Sequence, residues 1–153
     1  MELVVLIGLP AAGKTSLYRR RFAATHTHVS KDLLVGVRDR SARQAELIAD
    51  AFRRGQSVVV DNTNPTAADR APLIALGRRH GARLVAYHLL ATPREAVERN
   101  RRRENGARVP DVAIYVAARR LEPPRYAEGF DEIYRVEAAA DGGFTVTAVP
   151  AET

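Results

Sequence analysis

Apolar runs alternate with amphipathic stretches along the whole chain. Leu3–Ile7 is continuously apolar and bounded by Gly8 and Pro10, the pattern of a strand buried on both faces. Lys14–Ala24 follows as a helix, with Leu17, Phe22 and Ala23 roughly on one side and Arg19, Arg20 and Arg21 toward solvent. Thr25–Ser30 reads as a short strand. Ser41–Arg54 reads as an amphipathic helix with Ala45, Ile48, Ala49 and Phe52 at helical spacing and Gly55 past its end. Val58–Asp61 repeats the buried-strand pattern, Pro65–His80 fits a helix closed by Gly81, and Arg83–Leu90 is a third strong strand. Strands that alternate with helices predict an α/β fold: a central parallel sheet with helices on both faces.

Beyond this the pattern loosens. Thr92 caps a helix with Pro93 in its first turn, running into the basic block of residues 98–104. Asn105-Gly106 breaks it, Pro110-Asp111 opens a helix to about Leu121, and Pro123-Pro124 stops that one. Glu132–Val136 and Phe144–Val149 predict two late strands joined by a turn at Asp141-Gly142-Gly143. No repeat or linker interrupts the 153 residues, so the chain reads as one domain over 1–153, with residues 94–125 as a lid region.

Composition narrows the class. With 46% hydrophobic and 27% charged residues the chain has the balance of a globular domain, and the absence of cysteine excludes disulfides, thiolate metal sites and cysteine nucleophiles. The N-terminal residues MELVVLIGLP form neither a signal peptide nor a membrane span, which predicts a cytoplasmic chain with no membrane partner. Nothing calls for an obligate protein partner. The net charge of +6 is spelled almost wholly in arginine, since Lys14 and Lys31 are the sole lysines. It fits an anionic partner, and equally a genome that writes arginine for any surface cation.

Gly8-Leu9-Pro10-Ala11-Ala12-Gly13-Lys14-Thr15 matches G-x-x-x-x-G-K-[ST] between a predicted strand and a predicted helix. The glycines let successive N–H groups point at phosphate oxygens, and the helix directs its positive end at the same anion. Lys14 should reach the β- and γ-phosphates of a nucleoside triphosphate and Thr15 should hold Mg²⁺, while Ser16 can cap the helix or touch a phosphate. Asp61, ending an apolar strand, either orients the Mg²⁺ shell or caps a helix. Asn62 and Asn64 follow at the strand's carboxyl end, where ligands of open α/β sheets bind.

For the acceptor side, Asp32 is the candidate to take a proton from an attacking hydroxyl; the alternative is a helix cap. Arg99, Arg102 and Arg103 share a helical side and can converge on phosphates, or stand as solvated charge balanced by Glu95, Glu98 and Glu104. Arg38, Arg40 and Arg43 track an acceptor or decorate the surface. His26 and His28 read as ordinary strand histidines, for want of a third metal ligand. Tyr115, Tyr126 and Phe130 either stack on a base or belong to the core.

The order GLPAAGKTS, HVSKD, RGQSVVVDNTNPTAADR, RNRRRE and RVPDVAIYVAARRLEPPRYAEGFDEIYRV resembles the kinase domain of polynucleotide 5′-kinases and their bacterial relatives among the P-loop kinases, from Leu3 to about Val136. Its most specific pieces are G-x-P-x-A-G-K-[ST], DNTNP, and Glu122 and Pro124 with Glu128-Gly129-Phe130. The resemblance implies a three-layer P-loop kinase fold with an arginine-bearing lid, and transfer of the γ-phosphate of ATP, with Mg²⁺, to the 5′-hydroxyl of DNA or RNA. It implies Asp32 as general base, Arg99 and Arg103 as lid arginines with Arg101 as the alternate, and Asp61 and the asparagines after it on the metal and acceptor side. Together with the motif reading, the expected site is Gly8, Pro10, Ala11, Ala12, Gly13, Lys14, Thr15, Ser16, Arg99 and Arg103 around the nucleotide, Thr15 and Asp61 at the metal, and Asp32, Arg38, Asn62 and Asn64 on the acceptor side. Two departures stand out. Val35 occupies the place where several of these kinases carry an arginine for the acceptor phosphate, and 153 residues leave no room for a fused phosphatase or ligase domain. A metabolite, nucleoside or antibiotic kinase and a nucleotide-binding switch are the competing expectations.

Overall fold

The structure, a computed structural model, describes residues 1–104 and 107–151. Six strands, β1 (Glu2–Ile7), β2 (His26–Val29), β3 (Ser57–Asp61), β4 (Arg83–Leu89), β5 (Glu132–Ala138) and β6 (Phe144–Ala148), form one sheet in the order β2-β3-β1-β4-β5-β6. The first five are parallel, and β6 returns antiparallel beside β5 through the hairpin turn. Five helices surround it: α1 (Lys14–Arg21), α2 (Arg40–Arg53), α3 (Ala67–Arg79), α4 (Pro93–Arg101) and α5 (Asp111–Arg120).

The buried runs of β1, β3 and β4 sit at the centre of the sheet. Their alternate residues feed two cores, because successive side chains of a strand point to opposite faces. Leu3, Val5 and Ile7 pack with Ile48 and Phe52 of α2 and Leu73, Ile74 and Leu76 of α3. Val4 and Leu6 pack with Leu17 of α1, Ala96 and Val97 of α4 and Ile114 of α5. The layers foreseen from the alternation are present. Among the described residues no helix is long and apolar enough to cross a membrane.

Several boundaries differ from the sequence reading for local reasons. Helix α1 ends at Arg21 rather than Ala24, since the N–H groups of Phe22 and Ala23 both turn onto the Tyr18 carbonyl, and Ala23 is exposed. Helix α3 starts at Ala67, capped by Thr66, whose hydroxyl accepts from the Asp69 N–H. A reciprocal capping box between Thr92 and Glu95 opens α4. That helix stops at Arg101, with Arg102 as its cap, instead of running through residue 104. Arg103 therefore lies past the helix and shares no helical side with Arg99. The expected Asn105-Gly106 break lies outside the described residues.

Candidate functional site

Between β1 and α1 the chain bends through two left-handed positions, Ala11 (φ 65°) and Gly13 (φ 103°). Gly13 also has no room for a side chain: a Cβ there would stand 3.0 Å from Arg99 Nη1 and 3.4 Å from Phe144 Cε1. Gly13 leads into α1 without a capping side chain, which leaves the first-turn N–H groups for an anion. Lys14 is buried and arches back over the loop, its Nζ donating to the carbonyls of Gly8 (2.9 Å) and Leu9 (2.8 Å). Burial pushes the Lys14 ammonium down to about 8, with Arg103 acting in the same direction and Asp61 and Asp32 opposing it.

Asp61 sits at the end of β3 paired with Leu6 of β1, which carries its carboxylate to the loop. Thr15 Oγ1 donates to Asp61 Oδ2 at 2.8 Å, and His28 Nε2 lies 2.8 Å from the same oxygen. Burial opposes ionisation of Asp61, but the bonds from His28 and Thr15 and the charge of Lys14 outweigh it and hold the carboxyl below its usual value. An ionised Asp61 only accepts, so His28 carries its proton on Nε2. The His28 ring stacks on Tyr18, with centroids 4.2 Å apart. His28 is thus tied to Asp61, whereas His26 pairs with Glu2 at 2.7 Å. Asp61 caps no helix.

Asp32 lies in a short 3-10 turn, Lys31–Leu33, directly after β2. The cap of that turn is Ser30, whose hydroxyl accepts from the Asp32 N–H, and α2 is capped by Asp39, so the capping alternative for Asp32 falls away. Asp32 is exposed, at the carboxyl edge of the sheet. Asn62 holds the turn in place: its Oδ1 accepts from the Lys31 N–H at 2.9 Å and its Nδ2 donates to Gln44 Oε1 at 2.7 Å. Asn64, at φ 46°, donates its amide to the buried Leu6 carbonyl at 2.8 Å. Both asparagines line the edge of the cleft with their amides engaged in the scaffold.

Of the arginines, Arg99 reaches the phosphate loop, Nη1 donating to the Ala12 carbonyl at 2.9 Å. Arg103 is half-buried near Lys14, while Arg101 and Arg102 are exposed. Arg38 and Ser16 are exposed as well. Tyr126 and Phe130 serve the core, the tyrosine hydroxyl donating to the Val149 carbonyl, and Tyr115 is exposed on α5.

Arg70 was overlooked in the sequence. Wholly buried, it donates to both oxygens of Glu128 (2.8 and 2.9 Å) and to the carbonyls of Asn64 and Glu122. The DNTNP stretch, the Glu122-x-Pro124 piece and Glu128-Gly129-Phe130 are distant in sequence and meet on this one guanidinium. Its signal was an arginine three and four residues before Leu73 and Ile74, on the same helical side as those apolar residues. Next to this junction is a cavity of about 610 Å³ at the carboxyl edge of the sheet, reaching from Pro10 and Lys31 to α3 and α5.

A loop of free N–H groups with a buried lysine suits a polyphosphate, and a hydroxyl beside an ionised carboxylate is a donor set for Mg²⁺. The residues present fit ATP and Mg²⁺.

The model of a family described as AAA domain matches residues 3–124. The chain is 27% identical over 139 residues to the bifunctional polynucleotide phosphatase/kinase of Schizosaccharomyces pombe, covering 88% of this chain and 33% of that protein. It therefore spans about a third of the length of that relative. Among solved structures, Chaetomium thermophilum Kti12 in complex with ADP-AlF3 superposes with a TM-score of 0.67 at 17% identity, over 92% of each chain. A gluconokinase from Sinorhizobium meliloti superposes at 0.63 with 20% identity, covering 90% of this chain and 83% of that one.

Proposed function

The chain belongs to the AAA domain family and has the fold of P-loop kinases, and from that premise we propose that it transfers the γ-phosphate of ATP to the 5′-hydroxyl of DNA or RNA. The observation that carries the reading is the convergence of Lys14, the Thr15–Asp61 pair and Arg99 on one loop, with Asp32 in the turn after β2 at the same carboxyl edge of the sheet. The likeness to the kinase of Schizosaccharomyces pombe supports the choice of acceptor.

In the proposed reaction the loop N–H groups and Lys14 hold the β- and γ-phosphates, and Lys14 exchanges its loop carbonyls for phosphate oxygens. Thr15 and Asp61 would hold Mg²⁺, which when bound neutralises charge across the phosphates. Asp32 takes the proton of the acceptor hydroxyl as that oxygen bonds to the γ-phosphorus. The bond from the γ-phosphorus to the β,γ-bridging oxygen breaks, and ADP leaves with the electron pair. Arg99 and Arg103 face the charge spreading over the transferred group.

Labelled ATP offered with 5′-OH oligonucleotides of DNA and RNA, beside a panel of nucleosides and polyols, tests this. Label at the 5′ end is the expected result. Bound ATP with no oligonucleotide labelled would overturn it. A second reading, transfer to a small hydroxyl compound, is favoured by the 610 Å³ cavity, a volume typical of small-molecule sites.

A further inference from the structure

The wall of the cavity beside the loop brings Lys31, Arg120, Ser41 and Thr63 next to polar groups engaged in the scaffold. Asn62 Nδ2 gives one hydrogen to Gln44 and Asn64 Nδ2 one to Leu6, and Asp69 is held by Thr66 and, at 3.4 Å, by Arg120. Much of the remaining wall is flat and aliphatic, including Pro65 and Pro72 near α3, Leu73 and Leu76 on α3, and Ala113 and Ala117 on α5.

Gln44 lines the cavity as well, and its orientation is decided by a chain of hydrogen bonds. The Lys31 backbone N–H can only donate, so the Asn62 atom facing it is the oxygen. Asn62 therefore presents its NH₂ to Gln44, and Gln44 must answer with Oε1. That leaves Gln44 Nε2 as a donor, with no acceptor for it among the described residues. No fully buried side-chain nitrogen there lacks a partner, so Nε2 reaches open space, and the open space against this buried residue is the cavity.

A cavity with broad apolar walls and an oriented amide donor suits a flat ring bearing a hydrogen-bond acceptor. We infer that the cavity takes the nucleobase of the acceptor's terminal nucleoside, with Gln44 Nε2 donating to a ring carbonyl or ring nitrogen. The 5′-hydroxyl then emerges beside Lys31 toward Asp32. Recognition runs through the base more than through the phosphate backbone. This rests on the proposed transfer to a 5′-hydroxyl and adds what holds the acceptor.

Two measurements on the full chain decide it. In the first, uridine is titrated by calorimetry into wild type, Gln44→Glu, which keeps the bond from Asn62 but replaces the donor with an acceptor, and Ala113→Phe, which fills the cavity from α5. Wild type should bind uridine and both variants should bind it at least tenfold more weakly, with ATP binding measured alongside to report folding. In the second, 5′-OH oligonucleotides with a normal or an abasic first nucleotide are compared as acceptors. The abasic end should be at least tenfold poorer for wild type, and Gln44→Glu should erase most of that difference. Equal labelling of both ends would overturn the base site while leaving 5′-kinase activity standing. Uridine binding that is sensitive to both variants, without labelling of any oligonucleotide, would retain the site and remove the polynucleotide acceptor. No uridine binding at millimolar concentration, or equal binding by all three proteins, would overturn the inference.

Discussion

Arg70 grips Glu128 through two parallel bonds, Nε to Oε1 at 2.8 Å and Nη2 to Oε2 at 2.9 Å, with the arginine side chain wholly shielded from water. The remaining Nη1 hydrogens bind the carbonyls of Asn64 and Glu122, so the loop after β3 and the segment after α5 are fastened to one charge. Removing one partner of a buried pair strands the other, at a cost of about 3–5 kcal/mol. Arg70→Met should therefore lower the unfolding free energy obtained from urea titration by that much. Arg70→Lys, which cannot bind both oxygens in a planar fork, should recover part of it.

Arg99 and Arg101 share a helix but not an environment. Arg99 lies on the Ala12 carbonyl of the phosphate loop, and Arg101 points to solvent. Arg99→Ala should reduce phosphoryl-transfer kcat by roughly 10²–10³-fold, the range for losing one aimed donor. Arg101→Ala should stay within twofold. Single-turnover assays with saturating ATP separate the two.

His28 and Thr15 both donate to one oxygen of Asp61. His28→Phe keeps a ring against Tyr18 and loses the donor, so the carboxylate is less firmly aimed. Mn²⁺ affinity in the presence of ATP, followed by electron paramagnetic resonance, should fall by about 10-fold, the low end for loss of an outer partner. His28→Asn, if its amide reaches the same oxygen, should restore part of it.

His88, buried on β4, is held neutral down to about 4 by its burial, with the charges of Arg70 and Arg135 acting the same way. The unfolded chain takes up this proton near 6.5, so between about pH 6.5 and 4 the unfolded state binds more protons and stability declines as the pH falls. The full contribution is about 3 kcal/mol. Urea unfolding at pH 7 and pH 4.5 should show that decline, and His88→Gln should flatten it.

The phosphate loop and the strand feeding it were legible because their signals are local: an apolar run, two glycines and a lysine within a dozen residues. The layered sheet was legible for the same reason, β1, β3 and β4 each announcing itself by its own apolar run. Roles set by distant partners were not. That the amides of Asn62 and Asn64 reach Gln44 and Leu6, 18 and 58 residues away, could not be read from the asparagines themselves. The arginine block was misread because a shared helical side presumes a helix, and α4 ends at Arg101. Gln44, a polar residue at a buried position, drew no notice because its use depends on a hydrogen-bond chain that passes through two other segments.

The central claim is that Asp32 serves an acceptor hydroxyl in a site already able to hold ATP. Its most direct test is single-turnover transfer from labelled ATP to a 5′-OH oligonucleotide by wild type and Asp32→Asn, with ATP affinity measured on both proteins. Transfer should fall by roughly 10²–10⁴-fold in the variant, the usual worth of a general base, while ATP affinity changes by less than about threefold. Transfer by Asp32→Asn at the wild-type rate would contradict the claim.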